Sequence, residues 1–429
     1  MSEFQFIHAA DIHLDSPLRG LSEYESAPVD EIREAVRRAL ENLVALAIDQ
    51  RVSFVLIAGD IYDGDWKDYN TGLCFVKQVT RLQKAGIPVY AISGNHDAES
   101  RMTRSLALPA NPDGTPVMFS SRKAQTIRLE QPEVAIHGRS FRTAKETENL
   151  CLQYPSAVSG YFNIGMLHTA LTGIEGHEPY APCTPADLHA RNYQYWALGH
   201  VHNRQHLHEP GQTPIVFPGN IQGRHIRETG PKGCELVSVG TSGDVTIQFQ
   251  PLDVFRWQVC TVDASRADTP DDVIEQFSRQ LQQVAETSEG RPLAVRVQIT
   301  GSTAAHTELV ARQQEWLQQI RVQAMTVGSG DIWIEKVLIR TAPVEDPAAE
   351  ALESGPMAEL LRYFDDLEDD EALLREIAVE LESLQRKLPD ELNRDDVPVV
   401  PAESEQLRRL LQQVRPLLIH RLQCQEAAQ

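Results

Sequence analysis

The chain has 429 residues, of which 41% are apolar and 24% charged, with six cysteines and a formal net charge of −21. This length supports two or three domains with a sizeable core. The absence of any apolar run of about 18 residues excludes a helical membrane protein, and cysteines at 74, 151, 183, 234, 260 and 424, with no C-x-x-C pair, exclude a zinc ribbon or a disulfide framework.

Residues 1–7 lack the basic and apolar regions of a signal peptide and run into an expected strand, so a cytoplasmic location is expected. Residues 4–10 alternate and end at Asp11, residues 52–58 form an apolar run ending at Gly59-Asp60, and residues 87–93 end at Gly94-Asn95. Between the first two strands, Ile32, Val36, Leu40, Leu43, Val44 and Ala47 recur at helical spacing, and residues 69–85 read as a second helix. A βαβαβ order implies parallel strands with right-handed crossovers, and ligands of such sheets gather outside the carboxyl ends of the strands.

From about residue 115 short strands at 126–129, 134–138, 162–167, 195–198, 215–217, 234–239 and 245–250 predict a second sheet, mixed or antiparallel, packed on the first. Residues 256–262, 270–286, 293–300, 304–321 and 332–340 read as strand, helix, strand, helix, strand. After a linker with Pro343 and Pro347, helices are expected at 356–387 and 403–424, with an apolar stripe of Leu360, Leu361, Phe364, Leu367, Leu373, Leu374, Ile377, Leu381 and Leu384. The stripe packs either within its own domain or on a partner.

A net negative charge argues against a nucleic-acid partner, because phosphate contacts need Lys and Arg. Its distribution weakens that argument: residues 345–429 carry 21 acidic and 9 basic side chains, leaving 40 and 31 for residues 1–344. Arg33, Arg37 and Arg38, then Arg101 and Arg104, Arg122 and Lys123, Arg139, Arg142 and Lys145, and Arg224 and Arg227 form local basic groups. Either solvated surface or a phosphate track accounts for them.

Five segments carry the chemistry: Asp11-Ile12-His13, Gly59-Asp60-Ile61-Tyr62-Asp63, Gly94-Asn95-His96-Asp97, the lone His168, and Gly199-His200-Val201-His202. Imidazole, carboxylate and one amide oxygen suit Mn²⁺, Fe²⁺ or Zn²⁺ better than Mg²⁺ or Ca²⁺. One carboxylate bridging two such ions, here Asp60, activates a shared hydroxide for attack on phosphorus. His96 is placed to stabilise or protonate the leaving oxygen, and Asp63 or Asp97 to orient an imidazole from behind. His137 and His177 compete with His168 as the lone ligand, and His8 reads as a packed residue because strand alternation points it away from His13. Arg224, His225 and His177 are candidates for substrate contact.

These motifs, with the segments Phe6-Ile7-His8-Ala9-Ala10-Asp11-Ile12-His13-Leu14-Asp15-Ser16-Pro17 and Pro218-Gly219-Asn220-Ile221-Gln222-Gly223-Arg224-His225, resemble the calcineurin-like metallophosphoesterases, and among them the SbcD and YhaO type of DNA-repair nuclease subunit. The resemblance implies an α/β fold: a layered metallophosphoesterase β-sandwich flanked by helices (1–253), a small α/β capping domain (254–343), and an acidic linker with a helical ATPase-binding segment (344–429). It implies Asp11, His13 and His202 on one metal and Asn95, His168 and His200 on the other, with Asp60 shared and His96 catalytic. It further implies two divalent ions, Mn²⁺ foremost, a homodimer with contacts near residues 69–85 and 99–108, DNA as substrate, and a coiled-coil SMC-like ATPase of the SbcC type as partner. A Ser/Thr phosphatase of this superfamily carries Arg directly after the second Asp of its Gly-Asp motif, where this chain has Gly64 and Asp65. A phosphodiesterase of small molecules or cyclic nucleotides, and a non-catalytic DNA-end scaffold, are the alternatives.

Overall fold

The computed structural model describes residues 2–16, 29–64, 69–100, 106–171, 180–209, 211–328, 330–344 and 356–385, together with 407, 408, 410, 411 and 414. By internal contacts the chain divides into two compact units. One holds residues 1–259, 284–296 and 328–335, the other 260–283, 297–327 and 336–429.

In the first unit, strands β1 (Phe4–Ala9), β2 (Phe54–Ala58) and β3 (Val89–Ile92) pair in parallel and are joined by helices α1 (Val29–Asp49) and α2 (Tyr69–Lys84). A short helix α3 (Asn95–Glu99) follows β3. Strands β10 (Gly233–Val239) and β11 (Val245–Pro251) return to this sheet, whose order is β11-β10-β1-β2-β3. The sequence places 234–239 and 245–250 in the second sheet, and this assignment is corrected: β10 pairs antiparallel with β1, Phe6 opposite Val237 and His8 opposite Glu235. Alternation alone reports that a strand has a buried face, not which sheet it joins.

The second sheet has the order β4-β5-β6-β7-β9-β8, from β4 (Gln125–Glu130), β5 (Glu133–Gly138), β6 (Phe162–His168), β7 (Tyr195–Gly199), β8 (Gln205–His206) and β9 (Ile215–Phe217). It is mixed: β5, β6, β7 and β9 run parallel, with β4 and β8 antiparallel at the edges. A two-residue strand such as β8 has no periodicity to read. Helix α4 (Pro185–His189) lies between β6 and β7 and opens on a Thr184 cap.

The strand period of two assigns each side chain to a layer. Phe4, Phe6, Phe54, Leu56, Tyr90 and Ile92 meet Phe162, Ile164, Met166, Tyr195 and Val216 between the sheets. Ile7, Ala9, Val55, Ile57, Val89 and Ala91 pack with Val36, Leu40, Leu43, Val44, Phe75 and Val79 of the helices. On the far face of the second sheet, Leu167, Trp196, Leu198 and Phe217 pack with Leu150, Tyr154, Leu188 and Tyr193. Phe6 stacks on Phe54 at a centroid distance of 5.0 Å and meets Tyr195 edge-on at 5.3 Å. Ile32 and Ala35 of α1 form a separate cluster with Phe255, Trp257 and Ala294.

Strands β12 (Arg256–Asp263), β13 (Leu293–Ser302) and β14 (Ile332–Ala342) form a third sheet in that order. Helix α5 (Pro270–Glu286) precedes β13. The single helix expected at 304–321 is two, α6 (His306–Ala311) and α7 (Gln313–Gly328), parted at Arg312, whose φ of −116° and ψ of 35° leave the helical region. The expected helix at 356–387 is likewise α8 (Pro356–Asp369) and α9 (Glu371–Gln385). Asp370 divides them by accepting the amides of Ala372 and Leu373 at 2.8 and 3.1 Å, a side-chain N-cap. Leu367 and Leu374 are buried with Leu407 against Leu373, Ile377, Leu381 and Leu411, so this part of the apolar stripe packs within the chain. Of residues 99–108, expected as a dimer contact, 101–105 lie outside the described residues and 106–108 are not helical.

Truncating Phe54 to Ala removes the ring stacked on Phe6 from the layer between the sheets. Urea unfolding of the Phe54→Ala protein is expected to show a loss of about 3–5 kcal/mol, and a loss below 1 kcal/mol would contradict the described packing.

Candidate metal centre

β1, β2, β3, β6 and β7 deliver the five segments to one place. Beyond β1 and β2 the chain continues as a ladder: the amides of Asp11, His13 and Leu14 donate to the carbonyls of Gly59, Asp60 and Ile61 at 3.0, 3.0 and 2.9 Å. Asp97 fastens the third segment. Its buried carboxylate accepts the amides of Ile61, Tyr62 and Gly94 at 3.1, 2.9 and 3.1 Å. Asp97 therefore clamps backbone instead of orienting an imidazole, whereas Asp63 accepts from His96 Nδ1 at 2.9 Å.

Several residues here adopt the left-handed backbone region uncommon for side chains other than glycine: Asp11 (φ 51°), His13 (47°), Asp60 (50°) and His200 (103°). Gly94 is required by contact. A Cβ there would stand 2.2 Å from Asp60 Oδ1 and 2.7 Å from His168 Cε1.

Three groups of donor atoms, each within 4.8 Å of one another, assemble at these strand ends: Asp11, His13 and His202; His13, Asp60 and His96; Asp60, His168 and His200. Asn95 Oδ1 stands 3.0 Å from His168 Nε2. The backbone amide of His200 donates to both oxygens of Asp11 at 3.0 Å, and that of His96 to Asp60 Oδ1 at 3.0 Å. His137 is elsewhere, bonded to Thr126 and Asn163 and stacked on Tyr193. His177, like Asp65, lies outside the described residues. His8 bonds to Tyr195 Oη and the Leu198 carbonyl at 3.0 and 3.1 Å, and burial pulls its pKa down to about 4, as befits a neutral packed ring.

Hydrogen-bond chemistry tests whether these residues fit a metal. His168 Nδ1 lies 2.9 Å from the Ala58 carbonyl, which can only accept, so Nδ1 carries a proton. Nε2 of the neutral ring then points a lone pair at two more acceptors, Asn95 Oδ1 at 3.0 Å and Asp60 Oδ2 at 3.3 Å. His202 repeats the arrangement. Its Nδ1 donates to Glu228 Oε1 at 2.7 Å, leaving Nε2 to face His13 Nε2 at 3.1 Å. Those two nitrogens are close enough together that both would hold one ion. His13 Nδ1 is buried without a hydrogen-bond partner, 3.7 Å from Asp63 Oδ1. At His168 a lone pair faces two acceptors, an arrangement a cation relieves, and the donor set of imidazoles, carboxylates and one amide fits two divalent ions.

Charge follows the same logic in the metal-free site. Burial and then Arg224 push His13 down to about 3, so its ring is neutral. Burial opposes a charge on His168, but the Asp60 carboxylate outweighs it and raises the pKa to about 9: a proton takes the place of an ion. Burial raises Asp11 to about 6. Asp60, despite burial, is held far below the usual carboxylate range by His168, His13 and His96.

Arg224 and His225 stand beside the centre. Arg224 Nη2 reaches Glu228 Oε1 at 3.2 Å and Nη1 reaches Asp63 Oδ2 and Ser16 Oγ at 3.5 Å. His225 is half exposed with Nε2 3.5 Å from Glu228 Oε1. Sequence reading missed Glu228 and Ser16. Glu228 lies three residues beyond His225, and its charge among Arg224, His225 and Arg227 was the available signal. Of the basic groups, Arg37 is tied to Asp15 by bonds of 2.7 and 2.5 Å and Arg139 to Gln153, while Arg101, Arg104 and the side chain of Arg33 lie outside the described residues.

Three outcomes follow for metal loading and for the metal-free fold. A ligating His168 must give up the proton it holds below about pH 9, so calorimetry near pH 7.5 in buffers of different ionisation enthalpy should show about one proton released on Mn²⁺ binding, with affinity rising as pH rises. Because its folded pKa exceeds that of the unfolded chain, His168 stabilises the metal-free fold below pH 6.5 and this contribution is lost as pH climbs to about 9. Gly94→Ala should displace Asp60 and weaken Mn²⁺ binding by ~10-fold or more, measured by equilibrium dialysis; unchanged binding would contradict the close approach.

The sequence matches the family model of calcineurin-like phosphoesterases over residues 4–204 and that of the middle domain of metallophosphoesterase YhaO over residues 257–342. It is 35% identical over 310 residues to the uncharacterized metallophosphoesterase YhaO of Bacillus subtilis, covering 70% of this chain and 73% of that protein. It is 24% identical to the DNA double-strand break repair protein Mre11 of Sulfurisphaera tokodaii, over 73% of this chain and 78% of that one, and 30% identical to the Mre11 of Aeropyrum pernix, over 56% and 59%. A divalent-metal centre at the strand ends of a two-sheet α/β fold and these likenesses have one meaning: the chain belongs to the calcineurin-like metallophosphoesterases, on their YhaO branch.

Proposed function

We propose that the protein is a Mn²⁺-dependent DNA phosphodiesterase, a nuclease of a DNA-repair complex. The observation that carries this reading is the pairing of His96 with Asp63 beside the ligand groups: Nδ1 lies 2.9 Å from Asp63 Oδ1, and the side chain is 39% exposed while those of His13 and His168 are at most 1%. The likeness to proteins named Mre11 supports DNA as the substrate. Gly64 in the position after Asp63 favours a diester over a monoester.

Asp11, His13 and His202 would hold one ion and Asn95, His168 and His200 the other, with Asp60 between them. Two bound divalent ions supply a water of lowered pKa and neutralise charge on the phosphate. His96 acts from the exposed side. Burial opposes its charge, but Asp63 and Asp60 raise its pKa, so it keeps a proton to share with the departing oxygen. Residues 254–343 would form a capping domain toward DNA, and residues 344–429 the segment that engages a coiled-coil SMC-like ATPase. A homodimer fits Tyr69 and Leu73, exposed at 70% and 59% one turn apart on α2. Among the described residues no helix is long and apolar enough to cross a membrane, and a cytoplasmic setting suits a DNA substrate.

Purified protein with Mn²⁺ is expected to cleave both bis-p-nitrophenyl phosphate and linear DNA. His96→Ala should lower kcat by about 10²–10⁴ with two Mn²⁺ still bound, and Asp60→Ala should lose both metal and activity. Turnover confined to phosphomonoesters or cyclic nucleotides would overturn the reading.

A further inference from the structure

Behind the ligand groups, Arg224 lies between two carboxylates that serve different imidazoles. Its Nη2 is 3.2 Å from Glu228 Oε1, and Glu228 holds His202 Nδ1 at 2.7 Å. Its Nη1 is 3.5 Å from Asp63 Oδ2, and Asp63 holds His96 Nδ1 at 2.9 Å. Glu228 is fixed independently by Asn220 Nδ2 at 2.9 Å and the Arg224 amide at 2.8 Å, and Asp63 by Ser16 Oγ at 2.5 Å. The side chains of Arg224 and Glu228 are 11% and 4% exposed.

We propose that Arg224 and Glu228 are positioning residues: together they form a bracket that fixes the metal ligand His202 and the acid His96 in register, and Arg224 does not clamp substrate phosphate. A guanidinium is rigid and planar, so its two outer nitrogens set the separation of the groups they engage. Here those groups are the carboxylates behind His202 and His96. Swinging the guanidinium out to a substrate phosphate would break both carboxylate contacts and so release both imidazoles. Removal of such an outer partner of a metal-bound histidine weakens metal binding by about 10–100-fold. The proposal rests on the phosphodiesterase reading for His96 but not for His202, whose anchoring concerns metal binding alone.

The test takes the full chain, with folding verified by thermal unfolding of the metal-free protein. Mn²⁺ titration followed by electron paramagnetic resonance should show Glu228→Gln retaining one site at wild-type affinity while the other weakens by ~10-fold or more. Turnover of bis-p-nitrophenyl phosphate by Arg224→Gln should fall in kcat with KM within about 3-fold, the signature of lost transition-state positioning. The Arg224→Gln, Glu228→Gln double variant should be no worse than the poorer single one, because both break one device. Arg224→Lys, which keeps the buried charge and loses the fork, should resemble Arg224→Gln in kcat and guards against misfolding of the latter. Two wild-type Mn²⁺ affinities in Glu228→Gln, or a raised KM with unchanged kcat in the Arg224 variants, would overturn the bracket. Failure of the protein to cleave DNA would instead count against the nuclease reading and leave the metal titration standing.

Discussion

The site depends on a clash of lone pairs. Asp11 and Asp60 are 1% exposed, His13 is 1% exposed and His168 is fully buried, and their donor atoms gather in overlapping groups at the strand ends. A buried carboxylate without a compensating cation is costly enough that it changes protonation instead. The metal-free site does this, holding a proton on His168 between Asp60 and Asn95. A divalent ion would relieve the same repulsion more completely, so affinity for metal is built into how the acceptors are aimed as well as into their number.

Acceptors aimed this way will not stay in place on a pliable chain. The left-handed φ values at Asp11, His13, Asp60 and His200 each cost roughly 1–3 kcal/mol, and the surrounding structure has to over-determine them. It does so in two ways. The ladder from Asp11, His13 and Leu14 to Gly59, Asp60 and Ile61 welds the first two segments, and Asp97 binds the second to the third through three amides. Beneath them the strands carrying these segments are held by the aromatic layer of Phe4, Phe6, Phe54, Tyr90, Phe162 and Tyr195 between the sheets. Packing that tolerates little change of volume thus maintains the metal geometry.

What was legible in the sequence follows the range of each interaction. Asp11, Asp60 and Asn95 could be placed because each ends an apolar run, and a parallel βαβ order brings run-ends together without further information. The breaks within residues 304–328 and at Asp370 were missed because the apolar period continues across them; only the Asp370 cap, a single side chain, marks the second. The return of β10 to β1 was not readable, since its alternation would suit either sheet. Glu228 and Asp97 escaped for opposite reasons. Glu228 reads as surface charge beside arginines, while Asp97 sits within a ligand motif, where sequence leaves Asp63 and Asp97 open as partners of an imidazole; Asp63 meets His96 and Asp97 holds backbone amides.

The histidines show how one device yields two chemistries. In His168, His202 and His96 alike, Nδ1 is anchored on an acceptor, namely the Ala58 carbonyl, Glu228 and Asp63. Anchoring settles which nitrogen carries the fixed proton, and the role of the ring then depends on what its other nitrogen meets. For His168 that neighbour is a pair of acceptors, Asn95 and Asp60, which a cation satisfies; for His202 it is Nε2 of His13, which a shared proton or a cation can join. His96, beside His13 and Asp60, has a side chain that is 39% exposed and so can also meet what enters from solvent. If His168 and His202 are ligands and His96 the acid, as proposed, the division between them lies in burial beyond the ring, because the anchoring of the ring is the same.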